Sequence, residues 1–259
     1  MKKMQFLIPA LLCILLPALT AHAQDGRKIR LGVEGAYPPF SSIGPDGKLK
    51  GFDIDIANAL CEQMKAQCTM VQQEFDGMIP SLQAKKIDAV VASMSITEER
   101  KKVVDFTDKY YRTPARFVAK KNSGLKIDPA GLKGKRIGVQ RTTIHDRFAT
   151  DVFKESEIVR YAKQNDVFLD LAAGRLDGAI LDWIAASEGF LKSPAGQDFS
   201  FQGPIYVDFN YFGVGAGIAV RKGDTALKED FNAAIKAIRA NGTYKKLQDK
   251  YFTFDVFGN

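Results

Sequence analysis

Residues 82–100 read LQAKKIDAVVASMSITEER, and three things happen within them. A lysine-bearing stretch closes a helical pattern. An unbroken apolar run, Ala89-Val90-Val91-Ala92, then follows Asp88. The run gives way at once to small hydroxyls, acids and an arginine, Ser93-Met94-Ser95-Ile96-Thr97-Glu98-Glu99-Arg100. A short apolar run without alternation marks a strand buried on both faces, and such strands belong to parallel sheets covered by helices. The expected strand is 88–92. The same pattern returns at residues 171–182, LAAGRLDGAILD: helix end, basic residue, apolar residue, Asp, small residue, apolar strand.

Outward from these two stretches the chain reads as two similar series. On the amino-terminal side, 28–33 alternates and forms a strand, Tyr37-Pro38-Pro39-Phe40 stops regular structure, and 41–50 is a turn around Gly44-Pro45-Asp46-Gly47. Residues 52–66 carry a helical stripe (Ile54, Ile56, Ala57, Leu60, Met64), 69–73 is a short strand, and 76–85 a helix. The second series has strands at 136–139, 158–161 and 178–181, with helices at 143–153, 166–173 and 183–191. A long amphipathic helix at 224–241 and a short one at 243–251 finish the chain. Strands alternating with helices imply α/β units with mainly parallel sheets, two of them, and ligand groups at strand carboxyl ends imply a cleft between two lobes. The chain is expected to cross between lobes near 111–115 and 207–215, which assigns 24–112 plus 215–259 to the first lobe and 113–214 to the second.

Residues 1–23 read as a cleaved secretory signal peptide: Lys2 and Lys3, an apolar stretch at 6–16, and Ala21-His22-Ala23 as the cleavage site. The apolar stretch falls short of the roughly 20 residues that span a bilayer. Of the cysteines Cys13, Cys61 and Cys68, the last two remain after processing, and an even pair in an exported chain suggests a structural disulfide. With His145 as the one other soft donor, these make a poor zinc set, so no metal and no cofactor are expected. The net charge of +7 comes from 37 basic and 30 acidic residues that are interspersed, as in Glu98-Glu99-Arg100-Lys101-Lys102. That is a solvated mixed surface, and it argues against nucleic acid or a membrane surface as partner.

The chemistry lies just past the buried strands. Ser95 and Glu98 fit a capping box for the following helix. Arg100, about a turn in, can fold its fork back to the helix start, where free amides and the dipole already favour an anion. A bidentate guanidinium suits a carboxylate. The other reading of Arg100 is a surface ion pair with Asp105 or Asp108, and from this stretch alone the two stand even. Asp182 tips the balance, because it ends the equivalent strand of the second series and can accept from an ammonium. It can also cap the helix after it. An arginine on one side and an aspartate on the other suit the two poles of a zwitterion.

These residues carry a resemblance. The chain is similar, over nearly its whole expected mature length, to the periplasmic polar amino-acid-binding proteins of ABC importers, above all the lysine/arginine/ornithine- and histidine-binding group. The matching stretches include YPPF (37–40), GFDIDIANALC (51–61), SMSITEER (93–100), FTDKYY (106–111), LKGKRIGV (132–139) and NGTYKKLQDKYF (241–252). The resemblance implies the two-lobed type II periplasmic binding protein fold. It also implies a periplasmic, monomeric receptor without catalytic residues that hands a small amino acid to a membrane permease. Its site residues carry over one by one. Arg100, with backbone amides of Ser95 and of the Thr143–Ile144 turn, would hold the α-carboxylate. Asp182, the Ser93 hydroxyl and the Ala92 carbonyl would hold the ammonium. Tyr37 and Phe75 would sandwich the aliphatic stem. Glu34, helped by Asp53, would face the distal cation, which favours lysine, arginine, ornithine or a related guanidino compound, and Gln140 is a further candidate ligand contact. The Cys61–Cys68 spacing matches that group's disulfide.

The chain departs from the group at 140–145, Gln140-Arg141-Thr142-Thr143-Ile144-His145, where the group has glycine in place of Thr142 and glutamine in place of His145. Glu34 is one methylene longer than the group's aspartate, and Arg141 adds a positive charge near the cleft. These changes leave room for a larger guanidino or opine compound. A cyclohexadienyl dehydratase on the same fold, using Glu34 or His145 for proton transfer, is the enzymatic alternative.

Overall fold

The computed structural model describes residues 26–258, so the expected signal peptide lies outside the described residues. In chain order the first half runs β1 (Lys28–Val33), β2 (Ala36–Tyr37), β3 (Ser41–Ile43), β4 (Leu49–Lys50), α1 (Phe52–Gln63), β5 (Gln67–Gln72), α2 (Met78–Gln83), β6 (Ala89–Val90), α3 (Glu98–Lys101) and β7 (Val104–Tyr111). Next come β8 (Ala115–Lys120), β9 (Arg136–Gln140), α4 (Ile144–Val152), β10 (Glu157–Tyr161), α5 (Gln164–Ala172), β11 (Gly178–Asp182), α6 (Trp183–Ala186), β12 (Phe199–Tyr206) and α7 (Phe209–Phe212). β13 (Ala216–Arg221), α8 (Thr225–Ala240) and α9 (Thr243–Gln248) close the chain.

Two five-stranded sheets organise the molecule, in the orders β5-β1-β6-β13-β7 and β10-β9-β11-β8-β12. In the first, β5, β1 and β6 are parallel, and β13 pairs antiparallel with both β6 and β7. In the second, β10, β9 and β11 are parallel, and β8 is antiparallel to β11 and β12. Each sheet thus has one reversed strand, and both reversed strands are the first reached after a crossing: β7 leads to β8 through 112–114, and β12 to β13 through 207–215. The reversal has a simple cause. A chain leaving the carboxyl end of a strand in one sheet enters the other sheet at the side where its strands also end, and runs the opposite way.

The sequence echo is structural. Asp88 accepts from the Arg30 amide at 3.0 Å and Asp177 from the Arg136 amide at 2.8 Å, so each aspartate ties the start of its own strand, β6 or β11, to the parallel neighbour, β1 or β9. The helix ends match as well. Lys85 (φ 58°) and Gly174 (φ 73°) occupy the left-handed position after α2 and α5. Paired backbone bonds close both ends: Lys85 to Leu82 and Lys86 to Ser81 in one, Gly174 to Leu171 and Arg175 to Asp170 in the other.

The central strands are buried on both faces, as their composition demands. Ala89 and Val91 join the core cluster of Phe40, Phe52 and Phe231, whereas Val90 and Ala92 join that of Met78 and Leu82. In the second sheet Ile180 packs with Phe117 and Phe148, while Ala179 and Leu181 pack with Phe168 and Phe190. A Cys61–Cys68 disulfide links α1 to β5.

Several local expectations are corrected. Residues 41–50 are a hairpin, β3 and β4 around the Gly44–Gly47 turn. The helix expected at 183–191 is one α-turn, α6, followed by a wider π-helical stretch, Ser187–Leu191. The capping box is not formed: Thr97 is the N-cap of α3, its Oγ1 accepting from the Arg100 amide at 3.3 Å. Ser95 instead forms a β-bridge to Ala216, which holds its backbone extended and leaves the cap to Thr97.

Candidate functional site

The carboxyl ends of β1, β6, β9 and β11 surround a cavity that the crossing segments close on a further side. From the first sheet's side come Glu34, Tyr37, Phe75, Ala92, Ser93, Ser95 and Arg100; from the second come Gln140, Thr143, Ile144 and Asp182. These are eleven of the twelve residues singled out from the sequence. Asp53 is the twelfth and does not line the cavity. It is fully buried behind Ser93, accepting from the Ser93 hydroxyl at 2.8 Å and from the Tyr110 hydroxyl at 2.8 Å. A carboxylate that takes the serine proton leaves the serine oxygen free to accept from the cavity side. Ser93 is held there in the left-handed region, φ 54°.

Arg100 does fold back. Its Nη1 donates to the Ser95 carbonyl at 3.0 Å and its Nη2 to the Thr142 carbonyl at 3.3 Å, on opposite sides of the cleft, with the guanidinium carbon 5.4 Å from the Phe75 ring centre. The rival surface pairing is absent among the described residues. Asp105 pairs with Lys222 at 2.7 Å, and the Asp108 backbone is engaged by Asn232. Burial pulls the Arg100 pKa down to about 10, which leaves it charged at neutral pH.

Asp182 caps α6, its Oδ1 accepting from the amides of Ile184 (2.8 Å) and Ala185 (3.1 Å) and from the Thr113 hydroxyl (3.4 Å). All three bonds fall on one oxygen of a residue that lines the cavity. Burial raises the Asp182 carboxyl to about 7, against the opposing pull of these donors. Glu34 is likewise raised to about 7, by burial first, with the Gln140 hydrogen bond opposing and Asp53, Glu74 and Asp76 adding repulsion. Gln140 donates to Glu34 Oε1 at 2.6 Å and to the Ala162 carbonyl at 3.1 Å, so the far end of the cavity is itself a contact between the two sides. Asp53 is raised to about 7 by burial.

The turn that the resemblance assigns to the carboxylate opens α4. Thr143 is its N-cap, accepting from the Asp146 amide at 3.2 Å while its hydroxyl donates to the Gln140 carbonyl at 2.7 Å. Thr142, where the resemblance implies glycine, sits at φ 60°, a left-handed position.

Sequence reasoning missed the contribution of the crossings. Tyr111, Arg112, Thr113, Pro114, Tyr206, Phe212 and Gly213 also line the cavity, although they were assigned only to hinges or to no role. Their signal was positional: a segment that joins two lobes must pass the floor of the cleft between them. His145, named above as a soft donor, in the departing 140–145 segment and in the enzymatic alternative, lines the cavity as well, its ring 6.1 Å from that of Phe212. Burial and nearby Arg100 lower its pKa to about 3, so it is neutral. Trp183 packs on Phe254 instead, ring centres 5.1 Å apart.

The cavity is lined by two arginines, Arg100 and Arg112, the latter held against the Phe209 ring at 4.6 Å, and by the carboxyls of Glu34 and Asp182 on aromatic walls, groups that can meet one negative and two positive poles. Among the described residues no group of His, Cys, Asp and Glu is arranged to hold a metal ion, and no helix is long and apolar enough to cross a membrane.

Comparison with known proteins agrees with this geometry. The chain is 53% identical, over the full length of both, to the L-arginine-binding protein of Pseudomonas aeruginosa. It is 48% identical to the histidine-binding periplasmic protein of Salmonella typhimurium, covering 93% of this chain and 94% of the relative. Among solved structures, a Salmonella typhimurium periplasmic binding protein of high arginine specificity superposes with a TM-score of 0.82 at 37% identity, covering 88% of this chain and all of that one. Residues 29–254 match the model of a single family, and the chain belongs to it: the bacterial extracellular solute-binding proteins, family 3.

Proposed function

We propose that this protein is a periplasmic receptor that closes on a cationic L-amino acid, arginine foremost, and delivers it to the permease of an ABC importer. The observation that carries the reading is that Arg100 and Asp182, from opposite sheets, face one cavity whose far end holds Glu34. In this reading Arg100, with the amides of Ser95, Thr143 and Ile144, takes the α-carboxylate. Asp182, Ser93 and the Ala92 carbonyl take the ammonium. Tyr37 and Phe75 flank the stem, and Glu34 meets the distal cation beside Gln140. Asp53 acts through Ser93. The names of the relatives support the ligand class.

The two lobes are 24–112 with 215–259, and 113–214, turning about the two crossings, and residues 1–23 are removed on export. A ligand gripped from both lobes binds the closed form better than the open one, and this differential drives closure. Micromolar affinity corresponds to about 8 kcal/mol. Charge-assisted hydrogen bonds contribute about 1.5–3 kcal/mol each, so a few of them, less ordering costs, reach that range. Titration calorimetry of the processed chain with L-arginine, L-lysine, L-ornithine, L-histidine and an arginine-derived opine tests the reading. Tightest binding of L-arginine is expected. Binding of the opine alone would move the ligand to the larger guanidino class, and turnover of prephenate or arogenate without amino-acid binding would replace the receptor by an enzyme.

A further inference from the structure

The segment that departs from the expected pattern, Gln140-Arg141-Thr142, reaches across the cleft with every residue. Gln140 meets Glu34 inside (2.6 Å), and the Thr142 carbonyl meets Arg100 (3.3 Å). At the rim, Arg141 Nη2 donates to Glu74 Oε2 at 2.9 Å, and its Nε lies 2.7 Å from Asp76 Oδ2 as an ion pair. One turn along α4, Arg147 Nη1 stands 2.9 Å from Glu99 Oε2. The placement of the acids is the informative part. Glu74 and Asp76 flank Phe75, and Glu99 adjoins Arg100, so each rim pair grips the first lobe immediately beside a residue that faces the cavity.

We infer that Arg141, supported by Arg147, is an electrostatic clasp that holds the cleft shut and sets how slowly ligand leaves. The inference rests on the proposed function in one respect, that closure accompanies binding. These ion pairs join residues of opposite lobes, so opening the cleft must break them. Their free energy therefore counts only in the closed form and shifts the equilibrium toward it. The side chains of Arg141 and Glu74 are 41% and 46% exposed, which keeps each contribution modest and sensitive to salt. The strained Thr142 fits this role. A β-branched residue at positive φ persists where its surroundings hold it, and here Arg141 before it and the Thr142 carbonyl itself are both engaged across the cleft.

Release of L-arginine is to be measured by stopped flow for wild type, Arg141→Ala and the double variant Arg141→Ala/Arg147→Ala, at low and high salt, about 0.02 and 0.5 M. Small-angle scattering of the ligand-free proteins runs in parallel. Arg141→Ala is expected to release ligand roughly threefold to tenfold faster at low salt, with the association rate changed less than about twofold. High salt should speed release from wild type similarly and leave the double variant almost unaffected. Ligand-free wild type at low salt should have a smaller radius of gyration than the double variant. Equal release rates for wild type and Arg141→Ala at low salt, or a wild-type rate indifferent to salt, overturn the clasp. If L-arginine does not bind wild type, the functional reading falls on its own, and the scattering decides the clasp: identical profiles for wild type and double variant reject it.

Discussion

The Ser93 hydroxyl donates to Asp53 Oδ2 at 2.8 Å, and the Tyr110 hydroxyl donates to the other carboxylate oxygen at the same distance. Asp53 thereby fixes the direction of the Ser93 proton, away from the cavity, so that the serine oxygen accepts. In Asp53→Asn, an amide in the same place can donate to Ser93 and turn that proton toward the ligand ammonium. Affinity for L-arginine is expected to fall roughly tenfold, the size of one compromised hydrogen bond to a charged group. Calorimetry reads it, and unchanged affinity would mean that Ser93 does not meet the ammonium.

Asp182 has two separable duties. As N-cap of α6 its Oδ1 serves two amides, and as a carboxylate it offers charge to the cavity. Asp182→Asn keeps a capping oxygen and loses the charge, whereas Asp182→Ala loses both. Both variants should bind L-arginine at least about tenfold more weakly. Only the alanine variant should also lose about 1 kcal/mol of stability, measured by urea denaturation. Equal destabilisation in the two would show that the cap contributes nothing.

Glu34, Asp53 and Asp182 are each raised to about 7 by burial. An acid that holds its proton more tightly when folded than when unfolded takes stability away as pH climbs from its unfolded pKa to its folded one. For these groups that window runs from about 4 to about 7. His145, lowered to about 3, works the other way between 3 and 6.5, as one group against three. Ligand-free protein should therefore lose stability between about pH 5 and pH 7, and saturating L-arginine, whose cations favour the ionised acids, should reduce that loss. Binding near pH 6.5 should release protons, visible as a dependence of the calorimetric enthalpy on buffer. A buffer-independent enthalpy would place the acids outside the ligand's reach.

Lys85 and Gly174 occupy the same left-handed position at equivalent helix ends. A side chain there costs about 1 kcal/mol that glycine avoids. Lys85→Gly should raise stability by about that amount, less the entropy glycine adds to the unfolded chain. Gly174→Ala should lower it, through backbone strain alone, since nothing lies within 4 Å of where its Cβ would stand. Urea midpoints of the two variants moving in the same direction would contradict this.

The sequence by itself determined the repeated strand-and-helix units, the cysteine pair and the placing of Arg100 and Asp182 just past buried strands, whereas the other cavity residues were implied by the family resemblance. It could do so because each rests on a local cause: an apolar run too uniform for a half-exposed strand, an aspartate before it, polar groups at its end. Tertiary structure alone decided the reversed strands β8 and β13, the capping of α3 by Thr97 and not by Ser95, and the withdrawal of Asp53 behind Ser93. It also decided the clustering of Gln140, Arg141 and Thr142 against residues far away in the chain. Each of these depends on a partner supplied from a distant segment, such as Ala216 bridging Ser95 or Tyr110 reaching Asp53. Period and propensity describe a residue's neighbours along the chain, and they do not specify which groups the two crossings will bring face to face.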